Sequence, residues 1–399
     1  MSTPINILII SHDSGLYGAQ LSLLALLKNI DRRRYSPHVV IHNDGPLVDE
    51  IKKLNIPIHK REIVHWVASG SNSNTAWLTR LRLFFKNLRT RVRGISDIIS
   101  KHNIHFIYTN TVTCIEGAIA ARACNRPHIW HLREQTTGNS QLKPLFPKLI
   151  IKLIIHKLSS RIIVNSHHLY KFYKLENFQD KISVIHNGID IALFSNDREQ
   201  QHSSLKAALS LPNECNIVTT IAAIIPRKGI NLLIDAASIL TSKNYNIYYL
   251  IVGSGPYEYT QSLMRHAKAL NINNRILFLG HRNDIPQILG GSDVLTITAE
   301  DEAFGRTAIE AMAAHVPVVA TRCGGPEEII VDGVTGFLAQ SRTPSCVAIA
   351  IEKVLTNPGM AESFAMAGYS RAKDKFSVQA YTQKIEKIFN NLNSHNKDL

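Results

Sequence analysis

The segment EDEAFGRTAIEAMAAHVPVVATRCGGPEEIIVDGVTGFL, residues 300–338, gathers the densest set of chemically able residues in the 399-residue chain. Glu300, Asp301 and Glu302 fall in a loop between a predicted strand, Val294–Thr298, and a predicted helix, Arg306–Ala314. Glu302 therefore precedes the helix, and Glu310 stands about one turn inside it. A helix start offers unpaired N–H groups and the positive end of the macrodipole, a setting that suits a phosphate or sugar hydroxyls. Carboxylates beside it accept hydrogen bonds from vicinal hydroxyls, which is what holding a hexose or a ribose requires. On spacing alone the same residues also read as an acidic cluster that merely favours the helix dipole. Downstream, Gly324-Gly325-Pro326 opens a second strand-to-helix turn, with Pro326 suited to a first helical turn.

The elements needed to position these groups are predicted by short apolar runs alternating with amphipathic segments. In the first half the strands are Ile5–Ser11, His38–His42, Ile58–Glu62, His105–Thr109, Ile129–Leu132, Arg161–Asn165 and Ser183–His186. In the second half they are Cys215–Ile224, Tyr245–Gly253, Arg275–Gly280, Val294–Thr298, Pro317–Thr321 and Gly336–Ala339. Helical patterns such as Gln20–Asn29, Pro46–Leu54, Gly229–Leu240 and Tyr257–Leu270 lie between them, so the expected class is α/β with parallel sheets. A chain of this length exceeds what one core usually serves. The expected domains are 1–195 and 213–375, joined by a polar linker at 196–212, with a C-terminal helix in 376–399 that returns to the first domain. Ligands of open α/β sheets bind beyond the carboxyl ends of the strands, so two such domains are expected to face each other across the ligand cleft.

Charge is unevenly distributed over the chain. Residues 1–200 carry 27 Lys and Arg against 14 Asp and Glu, whereas residues 201–399 carry 18 against 17. Two basic, apolar-striped stretches concentrate the excess. One holds Arg80, Arg82, Lys86, Arg89, Arg91 and Arg93 among Trp77, Leu78, Leu83, Phe84 and Phe85 and reads as a single amphipathic helix. The other, Pro144–Ser159, sets Lys148, Lys152, His156 and Lys157 among Leu and Ile. Such helices either lie on an anionic membrane surface or turn their apolar stripe to the core with solvated charges behind. No aromatic-interleaved basic module points to nucleic acid. Five scattered cysteines form no zinc or disulfide pattern, and no run approaches the roughly 20 apolar residues of a spanning helix. The start of the chain carries no basic leader. A cytoplasmic protein, peripheral on the inner face of the membrane, is expected.

Glu302 and Glu310 with seven residues between them, and Phe304-Gly305 inside, match the E-x7-E signature of the retaining glycosyltransferases of family four. Glu310-Ala311-Met312-Ala313, Pro317-Val318-Val319-Ala320, Gly324-Gly325, Glu328, Asp332-Gly333 and Thr335-Gly336 continue that pattern over about forty residues, so the chain resembles this family. The resemblance implies the GT-B architecture of two Rossmann-like, doubly wound domains. It implies that Glu302 faces the transferred sugar and Glu310 the ribose of the nucleotide. The backbone at Phe304, Gly305 and Arg306 would lie near the sugar and diphosphate, and Thr307 would donate to phosphate or cap the helix. Arg227 and Lys228, in Arg227-Lys228-Gly229 before a predicted helix, take the diphosphate role, although Ala223-Ile224-Ile225-Pro226 stands where the family carries Gly-Arg. The resemblance also assigns Gly253 and Gly255 to the nucleotide loop, Gly18 to donor phosphate and His131 to the reacting sugar. His281-Arg282 falls where the family meets the base. Around Gly18 the chain has Tyr17 and Gln20 where the family usually shows Gly and Glu.

The implied activity is transfer, with retention, of a hexose-type sugar from a nucleoside-diphosphate sugar to a saccharide or lipid-linked acceptor, in cell-surface polysaccharide or glycolipid synthesis. No DxD motif is present, and no metal or other cofactor is expected beyond the sugar-nucleotide co-substrate. The rival readings are a silent sugar- or membrane-binding relative and a sugar-nucleotide epimerase of the same architecture.

Overall fold

A computed structural model describes residues 3–68, 76–136, 142–194 and 197–395. The chain forms two compact units, residues 1–188 with 378–399, and residues 189–377.

The first unit is built on β1 (Ile5–Ile10), β2 (Tyr35–Ile41), β3 (Ile58–Lys60), β4 (Val67–Ala68), β5 (Phe106–Thr109), β6 (His128–Leu132), β7 (Lys143–Pro144), β8 (Arg161–Val164) and β9 (Ile182–Val184). Seven of these pair in parallel in the order β3-β2-β1-β5-β6-β8-β9, and β4 pairs antiparallel with β7. Ile7, Leu8, Ile9 and Ile10 are all buried, as expected of a parallel strand covered on both faces. The covering helices are α1 (Gly18–Asn29), α2 (Pro46–Lys53), α3 (Trp77–Phe85), α4 (Leu88–Lys101), α5 (Glu116–Ala123), α6 (Lys148–Leu158) and α7 (His167–Tyr173). The last helix of the chain, Val378–His395, also packs here, with Tyr381, Ile385 and Phe389 in the core of α1, β1 and β2.

The basic stretch around Arg80–Arg93 is two helices, not one. Asn87 adopts a left-handed conformation (φ 56°) between α3 and α4, and Asn is among the few residues that tolerate it. Nor are all of its charges solvated, because Arg80 and Arg91 are buried. Arg91 Nε donates to Glu116 Oε1 at 3.0 Å, and its Nη2 donates to the Phe84 carbonyl at 2.6 Å. Glu116 in turn accepts from the backbone N–H of Val64 at 3.0 Å.

The second unit contains β10 (Asn216–Ile221), β11 (Ile247–Val252), β12 (Ile276–Gly280), β13 (Val294–Ile297), β14 (Val318–Ala320) and β15 (Gly336–Leu338). They form one parallel sheet in the order β12-β11-β10-β13-β14-β15, the doubly wound arrangement of a Rossmann sheet. Its helices are α8 (Arg198–Ala208), α9 (Ile230–Ser242), α10 (Tyr257–Ala269), α11 (Ile285–Gly290), α12 (Arg306–Ala313), α13 (Pro326–Ile329), α14 (Pro344–Leu355) and α15 (Pro358–Phe376). The stretch expected to be a linker, 196–212, instead carries α8, started by the Asp197 carboxylate, which accepts from the N–H groups of Glu199 and Gln200. This helix belongs to the second unit, whose division from the first falls at Gly188/Ile189 rather than at residue 195. Its polar composition reflects a mostly solvated helix that buries only Leu205 and Lys206.

Candidate active site

In the second sheet the strand order reverses between β10 and β13, which places a crevice beyond their carboxyl ends. The two loops that leave these strands there are 222–229 and 298–305, and they carry the basic and acidic candidates. Thr298, the residue after β13, binds the two loops together: its hydroxyl donates to the Gly229 carbonyl at 2.9 Å. Glu300 N–H donates to the Arg227 carbonyl at 2.9 Å. Gly229 is required here, since its φ is +64° and a Cβ would stand 2.0 Å from the Thr298 carbonyl oxygen.

The result is a direct ion pair between Lys228 Nζ and Glu302 Oε2, both side chains largely withdrawn from solvent. The Arg227 guanidinium donates to the Asp301 carbonyl, and its Nε is buried without a hydrogen-bond partner. Burial pushes the Glu302 carboxyl up, but the hydrogen-bonded Lys228 ammonium and the nearby Arg227 outweigh it, and the group ends below the usual carboxylate range. Glu302 is thus a carboxylate at neutral pH. Its backbone is equally constrained. The N–H donates to Cys323 O at 2.7 Å, and its carbonyl accepts from Gly325 N–H at 2.8 Å. A Cβ on Gly325 would lie 2.3 Å from Phe304 Cα, so the Gly324-Gly325 turn is what allows the acidic loop to sit against it.

Gly305 (φ +92°) is the N-cap of α12, leaving Arg306 and Thr307 as its first two helical residues. Thr307 therefore does not cap the helix. Phe304 is buried in the core beneath the loop, beside Phe376. Glu310 is buried too, and Arg306 Nε reaches it one turn away at 2.6 Å. Gly253 and Gly255 pack the β11 loop against the β10 loop, where a Cβ on either would stand 1.9 Å from the carbonyl oxygen of Ala222 or Ile224. Arg282, near the β12 end, is paired with Asp284 at 2.6 Å.

Two of the candidates lie in the first unit. Gly18 opens α1 and is exposed, and a Cβ there would meet nothing within 4 Å. His131, in β6, is completely buried. Its Nδ1 is hydrogen-bonded to the Tyr108 hydroxyl, while Nε2 is buried without a partner. Burial, with Arg133 beside it, holds its imidazole well below the usual histidine range, so it is a neutral ring. Arg133 donates to Asn110 at 2.9 Å, to Asn187 at 2.5 Å and to the Tyr381 hydroxyl at 3.1 Å.

Sequence reading missed Thr298, Arg133 and Tyr381. The first two follow strands β13 and β6 at their carboxyl ends, which is the available signal, whereas Tyr381 comes from the returning C-terminal helix and had none. A cavity of about 370 Å³ in the second unit, lined by Arg198, Asn216, Asp293 and His315, opens at the amino ends of β10 and β13. It lies at the sheet edge opposite the acidic loop.

Both halves of the chain match known sequence families. Residues 17–193 match Glycosyltransferase Family 4, and residues 202–371 match glycosyl transferases group 1. The capsular polysaccharide biosynthesis glycosyltransferase CapM of Staphylococcus aureus is 28% identical over 216 residues, 53% of this chain and 56% of that one. D-inositol 3-phosphate glycosyltransferase of Corynebacterium glutamicum is 31% identical over 184 residues, 44% of each chain. The chain thus spans about half the length of the curated relatives it matches. The crystal structure of HepE from Anabaena, in complex with UDP and glucose, is similar over 97% of this chain and 99% of its own, at 25% identity and a TM-score of 0.79. The chain therefore has the GT-B fold and is related to glycosyltransferases of family four and group 1.

Proposed function

From this kinship and the geometry of the second sheet we propose that the chain is a retaining glycosyltransferase. It moves a hexose from a nucleoside-diphosphate sugar to a saccharide or lipid-linked acceptor in cell-surface glycan synthesis. The observation that carries this reading is the Lys228–Glu302 pair, held with Arg227 and the α12 start at the β10/β13 switch point. The UDP and glucose bound by HepE support a sugar-nucleotide donor.

Glu302, kept ionised, accepts from the hydroxyls of the sugar being transferred, and Glu310 serves the ribose. As the bond from the anomeric carbon to the diphosphate oxygen breaks, charge builds on the leaving group, and Lys228, Arg227 and the N–H groups of Arg306 and Thr307 stabilise it. The acceptor oxygen bonds to the anomeric carbon on the face the diphosphate leaves, and its proton passes to the diphosphate. That same-face course retains configuration and requires no enzyme nucleophile. Gly18 is assigned to the donor phosphate. His131 is assigned to the reacting sugar, its neutral ring offering Nε2 as a hydrogen-bonding group rather than a charge.

A panel of sugar nucleotides tests the reading. The true donor at about 100 times its Kd is expected to stabilise the fold by roughly 2.7 kcal/mol, seen as a rise in Tm. Nucleoside diphosphate is then expected to be released only when an acceptor is added. Donor consumption without acceptor would instead identify an epimerase, and no release with any acceptor would leave a silent binding relative.

The acceptor side is read from α3 and α6. Trp77 Nε1 donates to Leu145 O at 2.9 Å and Phe84 meets Phe146 edge-on, so α3 is fastened to the segment that leads into α6. Between them Trp77, Leu78, Leu83, Phe85, Leu149 and Ile150 are exposed, the least of them by 44%. Arg82, Lys148 and Lys157 are exposed on the same two helices, as are Lys86 in the turn after α3 and Arg89 at the start of α4. Among the described residues no helix is long and apolar enough to cross a membrane. Peripheral docking on an anionic leaflet, next to a lipid-borne acceptor, fits this surface. The protein is expected to co-sediment with phosphatidylglycerol vesicles but not phosphatidylcholine vesicles, with binding weakened by salt and by Trp77→Asp or Phe85→Asp. Equal retention on both vesicle types, or on neither, would remove the membrane from the proposal.

A further inference from the structure

We propose that His38, His59 and His102 form a binding site for one divalent transition metal ion, with Zn2+ the ion best suited to three imidazoles. The three residues come from different parts of the first unit and are brought together by its topology. Strands β2 and β3 run parallel with Val40 opposite His59. Side chains alternate along a strand, so His38, Val40 and His59 point to one face of the sheet. That face is covered by α4, since Val40 shares a core with Ile95, Ile98 and Ile99. Helix α4 ends at Lys101, and His102 is its C-cap. Asn103, at φ +47°, closes the turn, and Asn6 Nδ2 donates to the His102 carbonyl at 2.8 Å. The third ring is thereby set over the other two.

The ring centroids are 5.4, 4.8 and 4.9 Å apart, and one nitrogen from each ring lies within 4.8 Å of the others. His38 Nδ1 is 3.1 Å from His59 Nε2. Two nitrogens bound tetrahedrally to zinc at about 2.0–2.1 Å are about 3.3 Å apart, so this pair already has the spacing of two ligands. Only His102 must approach. His38 is buried, which fixes one ligand, while His59 and His102 are half-buried and leave a fourth position to solvent, as in three-histidine zinc sites. Burial, His102 and Arg32 lower the pKa of His38. Burial, His38, His102, Arg61 and Lys101 take that of His59 down to about 4. A metal bound through His38 Nδ1 and His59 Nε2 replaces the hydrogen bond between them, whose proton moves to the other nitrogen of its ring. The site shares no residue with the donor machinery, and its occupancy does not depend on the glycosyl-transfer reading. Bound metal would clamp the edge strand β3 and its neighbour β2 to the end of α4.

The test uses the full-length, tag-free chain, stripped with EDTA and titrated with Zn2+ at pH 7.5 against a chromophoric chelator. One site per chain is expected in the native sequence. His59→Gln and His102→Gln are each expected to weaken it by more than the 10- to 100-fold typical of losing an outer-shell partner. Zn2+ is also expected to raise the Tm of the native chain but not of either variant, and both half-buried positions should tolerate Gln without loss of the metal-free fold, checked by circular dichroism. Co2+ should give a ligand-field spectrum in the native chain that both variants lose. The proposal is overturned if the native chain and the two variants bind Zn2+ alike, or if the native chain does not bind it. In either case the triad is only a hydrogen-bonded group of neutral rings.

Discussion

Replacing Lys228 with Ala is expected to lower kcat for sugar transfer by about 10²- to 10³-fold, the range seen when one preorganised charge-stabilising donor is removed. On the proposed mechanism the variant loses a cation at the leaving diphosphate, and it removes the partner of Glu302, whose carboxyl is otherwise pushed up by burial. The acid limb of the pH–rate profile is therefore expected to move to higher pH in K228A, because less positive charge remains to hold Glu302 ionised. Glu302→Gln is expected to cost a comparable factor with no such shift, since it has no carboxyl to titrate. The double variant should be little worse than the poorer single one, because residues acting as a unit are not additive. Near-UV circular dichroism and Tm establish that the fold is intact. If K228A turns over at the native rate with only a lower Tm, the pair is a structural tie between the β10 and β13 loops, and the site assignment fails.

The second large effect is on stability. Arg91 and Glu116 form an ion pair whose side chains are 2% and 0% exposed, and each also holds a backbone group, the Phe84 carbonyl and the Val64 N–H respectively. Arg91→Leu leaves a buried carboxylate without its counter-charge, and Glu116→Leu leaves a buried guanidinium. Each is expected to destabilise the first unit by about 3–5 kcal/mol, whereas the Leu/Leu double variant should recover much of that loss because neither charge then remains buried. Denaturant unfolding followed by tryptophan fluorescence reads this unit, since Trp66, Trp77 and Trp130 all lie in it. Single variants within 1 kcal/mol of the native chain would show that water or rearrangement compensates the pair. Arg91 also ends α3 through the Phe84 carbonyl, so R91L should weaken vesicle binding in parallel if α3 docks on the membrane.

Much of the architecture was legible because parallel strands buried on both faces read as continuous apolar runs. The runs at Ile5–Ile10, Ile247–Val252 and Val294–Ile297 stand out without any knowledge of their partners. Helix stops were less visible. Among the described residues, six helix-terminal Asn take positive φ (Asn55, Asn87, Asn103, Asn125, Asn244 and Asn271), and the one at Asn87 divides into α3 and α4 what reads as a single helix. The segment 196–212 looked like a linker because its polarity is that of a solvated helix and of a loop alike.

The sequence by itself determined the chemistry available at the proposed donor site. Glu302, Glu310 and the glycines at 305, 324 and 325 are local in the chain, and their order is tied to a strand-loop-helix unit that folds in sequence. What only the tertiary structure decided is who meets whom. Lys228 and Glu302 are 74 residues apart and pair because β10 and β13 are neighbours in the sheet, an adjacency set by strand order. Tyr381 joins the His131 network because the last helix returns to the first unit. His38, His59 and His102 converge because two strands share a pleat parity and a helix ends above them. Spacing along a chain carries periodicity, and so the face a residue occupies. Proximity between distant segments is set by packing and register, which no single stretch of sequence contains.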